Sequence, residues 1–141
     1  MSQYKTIYLA SALITNAVGD LLTVRKKGSV YYMMAGGKIE MGETPLQALQ
    51  RELEEELNFI LTPEDIRYLG THQTQAVNEV NTLVHATVFH IKTTFTSFTP
   101  HAELEEIKWL TYDTYSEVPL AHLLQEFSIP LWLKQKNLSC D

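Results

Sequence analysis

Apolar and polar positions along this chain follow two different patterns, one typical of β-strands and one typical of helices. Runs rich in β-branched and aromatic residues, from Thr6 to Ile14 and from Leu21 to Arg25, flank a Gly19-Asp20 turn, which is the pattern of a β-hairpin. The same composition predicts a third strand over Val30 to Met34, and the Gly36-Gly37 pair is expected to break it. The first quarter of the chain is therefore predicted to be strand-rich.

From Thr44 onward, the spacing of apolar residues has the periodicity of a helix. Thr44 has the chemistry of an N-cap, Pro45 suits the first helical position, and Gln47 has the spacing of a capping box. Asn58 is expected to end the helix, because asparagine tolerates the left-handed conformation that closes helices. The apolar residues between them recur at the spacing of one helix face: Leu46, Leu49, Leu53 and Leu57.

The second half repeats the alternation. Three further strands are predicted, from Ile66 to Gln73, from Thr82 to Ile91 and from Glu106 to Thr111, with a Thr/Ser-rich loop from Thr93 to Pro100. A last amphipathic helix, expected to end or break near Pro130, is marked by Leu120, Leu123, Leu124 and Phe127. Residues 1–141 are thus predicted to form one α/β domain with a mixed sheet between helices.

Composition and charge narrow the classes of function. The chain has 141 residues, with 17 acidic against 11 basic side chains and a formal net charge of −6. The one basic cluster, Arg25-Lys26-Lys27, is too short to form the extended basic surface that displaces counterions from a nucleic-acid polymer. No apolar run approaches the roughly 18 residues of a membrane span. The lone Cys140 cannot form an internal disulfide, which is compatible with a reducing compartment. Together, these observations predict a cytoplasmic protein with neither a membrane nor a nucleic-acid partner.

The acidic stretch inside the first predicted helix carries the candidate chemistry. Relative to Glu52, Glu55 lies about 60° to one side and Glu56 about 40° to the other, so the three carboxylates share a stripe away from the leucines. Like charges at this spacing repel each other on an isolated helix. Clustered oxygen ligands suit Mg²⁺ or Mn²⁺, which would offset the repulsion, although a solvated acidic face is the commoner meaning of such a run.

A longer motif surrounds these carboxylates. It consists of Gly37, five residues, Glu43, seven residues, and then Arg51-Glu52-Leu53-x-Glu55-Glu56-x-Asn58-Phe59. This closely resembles the Nudix box, G-x5-E-x7-R-E-U-x-E-E-x-G-U with U apolar, and the surrounding residues resemble its MutT-like subgroup. The one departure is Asn58 where the family has glycine, and asparagine is the next best residue for a left-handed helix end.

The resemblance implies both a fold and a chemistry. Nudix domains are α/β/α sandwiches with a mixed β-sheet, and they hydrolyse a diphosphate linked to another moiety, typically in a nucleoside diphosphate derivative, with Mg²⁺ or Mn²⁺. Carried over by position, Glu52, Glu55 and Glu56 would bind the metal together with the Gly37 carbonyl, and Glu52 is also a candidate base. Arg51 would orient Glu52 or neighbouring carboxylates, and a further residue, Glu43, would support the loop–helix junction or the metal shell.

Outside the motif the pattern is less specific. Glu103, Glu105 and Glu106 are candidates for an extra carboxylate from the second half of the chain, and a surface acidic cluster is the favoured interpretation because exposed glutamate is the default. The aromatic residues could stack on a base but are interpreted as core residues, and the histidines are interpreted as packing or surface residues rather than as metal ligands. They include Tyr31, Tyr32, Phe95, Phe98, Trp132, His72, His85, His90, His101 and His122.

Two alternatives stay beside the leading hypothesis of a Mg²⁺-dependent pyrophosphohydrolase. A Nudix-fold module that senses a nucleotide without cleaving it usually lacks box carboxylates, and all of them are present here. An isopentenyl-diphosphate isomerase shares the fold but needs an active-site cysteine, and Cys140 lies beside the last residue. The substrate stays open: the MutT-like residues favour nucleoside triphosphates, oxidised ones included, over ADP-ribose or dinucleotides. An exposed edge strand could support a homodimer.

Overall fold

A six-stranded mixed sheet organises the chain. The computed structural model describes residues 5–77 and 79–139, except for the side chains of residues 63 and 136–139; Cys140 lies outside this part. The strand order is β4-β5-β1-β2-β6, with β3 paired to β1, and the β1–β5 pair is parallel. The strands are β1 (Lys5–Thr15), β2 (Leu21–Lys26), β3 (Ala35–Lys38), β4 (Ile66–Gln75), β5 (Thr82–Lys92) and β6 (Leu104–Leu110).

The first helix, α1 (Pro45–Leu57), begins and ends at the predicted residues. The Thr44 hydroxyl accepts a hydrogen bond from the Gln47 backbone N–H at 3.1 Å, and the Gln47 side chain accepts one from the Thr44 N–H at 2.9 Å. These are the two reciprocal bonds of a capping box. Asn58 closes the helix in the left-handed conformation, with φ 53° and ψ 37°. The predicted helix is therefore confirmed at both ends.

The sheet lies between two helical layers, as expected for an α/β/α sandwich. Alternate residues of β1 point to opposite faces, so Ile14 packs with the α1 leucines Leu49 and Leu53, while Leu13 packs with Trp132. Trp132 is fully buried, and its Nε1 donates to the Gly19 carbonyl at 2.7 Å. This confirms the core interpretation for that tryptophan. Each face thus has its own apolar core.

The predicted third strand is wrong in position. Within Val30 to Met34, only Tyr32 and Met33 make isolated bridges, and the strand proper, β3, contains both members of the Gly36-Gly37 pair. Gly36 has φ +133°, and a Cβ added there would overlap the carbonyl oxygen of Ala10 on β1. Only glycine permits this close pairing, so strand propensity in the sequence could not locate β3.

The last helix does not end at Pro130. A π-helical turn, Leu124–Ser128, leads directly into α2 (Ile129–Ser139), so Pro130 lies in the first turn of α2. In a regular α-helix the proline ring would clash with the carbonyl four residues earlier, which is that of Glu126, and Glu126 lies within the widened turn. The loop predicted from Thr93 to Pro100 is confirmed. No helix among the described residues is long and apolar enough to span a membrane.

Candidate active site

The C-terminal half of α1 faces the two glycines of β3. Glu56 is only 1% exposed, and its Oε1 accepts a hydrogen bond from the Gly36 N–H at 3.2 Å. Gly37 lies against the Glu52 side chain: a Cβ added to Gly37 would be 2.6 and 2.7 Å from the two Glu52 carboxylate oxygens. Gly37 therefore leaves room for the Glu52 carboxylate that a larger residue would displace, and Gly36 holds the Glu56 carboxylate through its N–H.

A third carboxylate joins them from the far half of the chain. Glu52, Glu56 and Glu103 each offer one oxygen, and these oxygens lie within 4.8 Å of one another. The loop that carries Glu103 is fixed to α1, because the His101 N–H donates to the Glu56 backbone carbonyl at 2.9 Å. The next residue, Ala102, has a positive φ of 56°, and the chain then turns into β6. The backbone therefore positions Glu103 beside the two helix carboxylates.

Burial makes the negative charge of this group costly. It raises the pKa of Glu56 to about 8, and the charges of Glu52 and Glu103 act in the same direction, against the Gly36 hydrogen bond. Burial also raises the pKa of Glu52, opposed by the Arg51 guanidinium. Hard oxygen donors that repel each other in a partly buried site are the donor set that suits Mg²⁺ or Mn²⁺. The residues present therefore fit a divalent cation.

Arg51 ties the loop before α1 to the carboxylate group. Its Nε and Nη2 donate to the two carboxylate oxygens of Glu43 at 2.7 and 3.0 Å, and its Nη1 donates to Glu52 Oε2 at 2.8 Å. Nη2 also donates to the Lys38 backbone carbonyl at 3.0 Å. These bonds lower the pKa of Glu43 to about 2 and raise that of Arg51. Arg51 is therefore placed to hold the Glu52 carboxylate in one orientation.

The structure separates Glu55 from the other predicted metal ligands. Its side chain is 53% exposed, lies 3.6 Å from Arg51 Nη1, and is not part of the group formed by Glu52, Glu56 and Glu103. Helical spacing alone places all three box carboxylates on one stripe, but it does not show which of them the glycine strand covers. Glu55 thus occupies the rim of the site.

The three candidates outside the motif have different surroundings. Glu103 is exposed, as a surface residue would be, and its carboxylate also belongs to the group with Glu52 and Glu56. Glu106 accepts hydrogen bonds from Arg25 Nε at 3.1 Å and from the Tyr32 hydroxyl at 2.7 Å. Glu105 is exposed. The sequence shows three glutamates in four positions, and only the fold distinguishes the one that approaches α1.

A cleft of about 520 Å³ opens beside Glu56. Its walls include the apolar side chains of Leu9, Met33 and Met34, and three lysines line it: Lys26, Lys27 and Lys38. The family model described as NUDIX domain matches residues 7–130 of this chain. The chain belongs to the Nudix family.

The relatives of this Nudix chain include enzymes with named activities. It is 43% identical over 60 residues to the 8-oxo-dGTP diphosphatase of Haemophilus influenzae, which covers 40% of this chain and 44% of that protein. It is 40% identical over 58 residues to the RNA pyrophosphohydrolase of Halorhodospira halophila, covering 41% of this chain and 31% of that protein. Each match therefore spans less than half of the curated relative.

A solved structure extends the similarity over nearly the whole chain. The E. coli ORF135 protein is 26% identical, with a TM-score of 0.67, and the match covers 99% of this chain and 94% of that one. The MutT NUDIX hydrolase from Burkholderia pseudomallei has the same fold, with 21% identity and a TM-score of 0.72 over 86% of this chain and 94% of that one. The order of strands and helices described above is therefore that of a Nudix fold, and the fold predicted from the sequence is confirmed.

Replacing Gly37 by alanine tests the close approach to Glu52. We expect kcat to fall by about ten- to a hundredfold, because the new methyl group displaces the carboxylate by a fraction of an ångström to an ångström. Steady-state hydrolysis rates and the circular dichroism spectrum measure the effect and the fold. A double variant, Gly37→Ala with Glu52→Asp, is the control, since the shorter side chain relieves the overlap. If Glu52→Asp lowers kcat by the same factor in the Gly37→Ala protein as in the wild type, the two positions act independently. The overlap with Glu52 would then not be the cause of the lower kcat of Gly37→Ala.

Proposed function

We propose that this Nudix protein is a Mg²⁺- or Mn²⁺-dependent pyrophosphohydrolase that cleaves a diphosphate linkage in a small nucleotide. One observation carries the proposal: carboxylate oxygens of Glu52, Glu56 and Glu103 converge within 4.8 Å of one another, and Glu56 of this group lines a 520 Å³ cleft. A nucleotide-sized ligand and a cation can thus be held side by side. The 8-oxo-dGTP diphosphatase and the RNA pyrophosphohydrolase support the same class of reaction.

The reaction adds water across a phosphoanhydride bond. The water must lose a proton, and the negative charge of the phosphates, which repels the resulting hydroxide, must be offset. A divalent cation on the carboxylate group would supply positive charge that polarises the anhydride. Glu52 is the proposed base, because Arg51 fixes its carboxylate and its pKa is raised by burial. Lys26, Lys27 and Lys38 add positive charge on the cleft wall. For a nucleoside triphosphate the products would be a nucleoside monophosphate and pyrophosphate.

The inner part of the cleft suits a nucleobase. Leu9, Met33 and Met34 supply apolar and polarisable walls, and Ser11 adds a hydroxyl. The ring nitrogen Nδ1 of His122 lies 3.0 Å from the Gln75 carbonyl oxygen, which can only accept, so Nδ1 is protonated and Nε2 is left for contact with a base. The 8-oxo-dGTP diphosphatases among the relatives are named for an oxidised nucleoside triphosphate. We therefore propose nucleoside triphosphates, oxidised ones included, as the substrate class.

A substrate panel tests the proposal. Canonical and oxidised nucleoside triphosphates, ADP-ribose and dinucleoside polyphosphates are incubated with Mg²⁺, with Mn²⁺ or with EDTA, and the products are separated by ion-exchange chromatography. We expect at least one triphosphate to yield its monophosphate and pyrophosphate, and EDTA to abolish the reaction. Tight nucleotide binding without turnover under either metal would contradict the proposal and favour a sensor module.

A further inference from the structure

A second cleft lies at the opposite end of the sheet. It has a volume of about 880 Å³ and is formed where β1 and β5 end, where β4 begins, and where the chain leaves α1. It shares no lining residue with the cleft beside Glu56. The proposed hydrolysis makes no use of it, so its side chains need a separate explanation.

Strand pairing gathers three basic residues on one face of this cleft. In the antiparallel β4–β5 pair Arg67 lies directly opposite His90, and Lys92 follows two residues later on the same side of β5. Arg67 and Lys92 are therefore diagonal neighbours across the two strands, within reach of each other's long side chains. Asp65 also lines the cleft, yet no carboxylate among the described residues forms an ion pair with Arg67 or Lys92. Their positive charge is left without an anionic partner in that part of the chain.

His90 adds a buried polar group to this face. The residue is 5% exposed, and its Nε2 lies 2.9 Å from the Thr15 hydroxyl oxygen. No hydrogen bond of its other nitrogen, Nδ1, is found among the described residues, where every fully buried side-chain nitrogen and oxygen has a partner. Nδ1 therefore reaches the space of the cleft. Burial lowers the pKa of His90 to about 4, with Lys92 and Arg67 contributing, so the ring is neutral at pH 7.

One wall of the cleft is apolar and aromatic, beside polar residues such as Thr62 and Thr94. Phe95 is 52% exposed and Ile60 is 75% exposed, although both residue types are usually buried, and Phe95 packs on Phe59 with ring centroids 5.6 Å apart. A single inorganic anion would fill little of a space this large, and it would leave these apolar groups in water. The combination of a cationic face and an exposed aromatic wall suits a ligand with both characters.

We propose that the second cleft binds a phosphate ester with an aromatic or apolar body, distinct from the substrate of the hydrolysis site. Its phosphate would lie between Arg67 and Lys92 and accept a hydrogen bond from His90 Nδ1, while its body would contact Phe95. In this arrangement the Thr15 hydroxyl donates to Nε2, so ligand binding selects the tautomer with its proton on Nδ1. The ligand offsets the repulsion between the two exposed cations and uses the free nitrogen of the histidine.

Phenyl phosphate and inorganic phosphate serve as the two probes, with the full chain in EDTA so that no hydrolysis takes place. Nitrogen-15 NMR of the histidine rings reports the site and the tautomer, and calorimetry reports the affinity. We expect phenyl phosphate to shift the His90 ring, to leave the His122 ring in the first cleft unchanged, and to bind about tenfold more tightly than inorganic phosphate. Equal affinity for the two probes would overturn the assignment of an ester with an apolar body.

Exposed cations allow variants that leave the fold intact. Arg67→Gln and Lys92→Gln should each weaken phenyl phosphate binding by about tenfold, the typical loss of one charge-assisted hydrogen bond. Lys5→Gln, at the other end of β1, removes the same charge outside the cleft and should change the affinity by less than about twofold. The proposal would be overturned if about 10 mM phenyl phosphate left the His90 nitrogen-15 signals unchanged, or if Lys5→Gln weakened phenyl phosphate binding as much as Arg67→Gln. Either result is independent of whether the hydrolysis site is active.

Discussion

Glu52→Gln is expected to lower the kcat of nucleotide hydrolysis by about a thousandfold or more. The amide cannot take a proton from the attacking water, and general base catalysis alone accounts for about 10²–10⁴-fold. It also removes one of three converging carboxyl groups, which weakens cation binding. Arg51 keeps its two hydrogen bonds to Glu43, so the loop before α1 should stay in place. The measurement is kcat at saturating Mg²⁺ for the substrate identified by the panel.

Glu54→Gln is the matched control for this experiment. Glu54 lies on the same helix but is exposed and outside the carboxylate group. We expect its kcat to stay within about twofold of the wild type, since surface substitutions away from a site have small effects. Wild-type turnover by Glu52→Gln, with a helical spectrum unchanged in both variants, would remove Glu52 from the proposed mechanism.

Glu56→Gln is expected to make the metal-free protein more stable at pH 9, and to remove most of the stabilisation that Mg²⁺ provides. The folded-state pKa of Glu56, about 8, is raised above the ordinary value of 4.5. The folded state therefore holds the proton more tightly than the unfolded state. The corresponding stability is fully present below pH 4.5 and is lost as pH rises through 8. The loss amounts to at most about 5 kcal/mol at pH 9.

Thermal unfolding in EDTA measures this effect. Between pH 6 and pH 9 the wild type should lose on the order of 10 °C in Tm that Glu56→Gln does not lose, at about 2–4 °C per kcal/mol for a chain of this size. The amide can still accept the Gly36 hydrogen bond, so the buried contact survives the substitution. Adding Mg²⁺ at pH 9 should raise the Tm of the wild type far more than that of the variant. Parallel pH profiles for the two proteins would contradict a buried, charge-strained Glu56.

Local signals predicted the parts of the molecule that local forces determine. Thr44 and Asn58 mark the ends of α1 because a cap is decided within four residues, and the stripe of leucines follows from helical geometry. The spacing of Glu52 and Glu56 likewise follows from the helix that carries them. These features need no knowledge of the rest of the chain.

Features that depend on contacts between distant residues could not be predicted from the sequence. β3 exists because Gly36 can approach Ala10 of another strand, and no propensity of its own residues indicates that contact. Glu103 was one of three equivalent glutamates until the hydrogen bond from His101 to the α1 backbone placed it. The second cleft is similarly invisible in sequence, since Arg67 and His90 become neighbours only through strand pairing.

The parallel pairing of β1 with β5 has a consequence for the order of folding. Residues paired between these strands, such as Ile7 and Val84, are 77 positions apart, so this contact forms only after most of the chain has been synthesised. Until then one edge of the central strand has no partner, and a nascent chain exposes it to other chains. The loop with Glu103 follows β5 in the sequence. Ribosome-bound chains that carry the whole Nudix box should therefore still lack a complete carboxylate group.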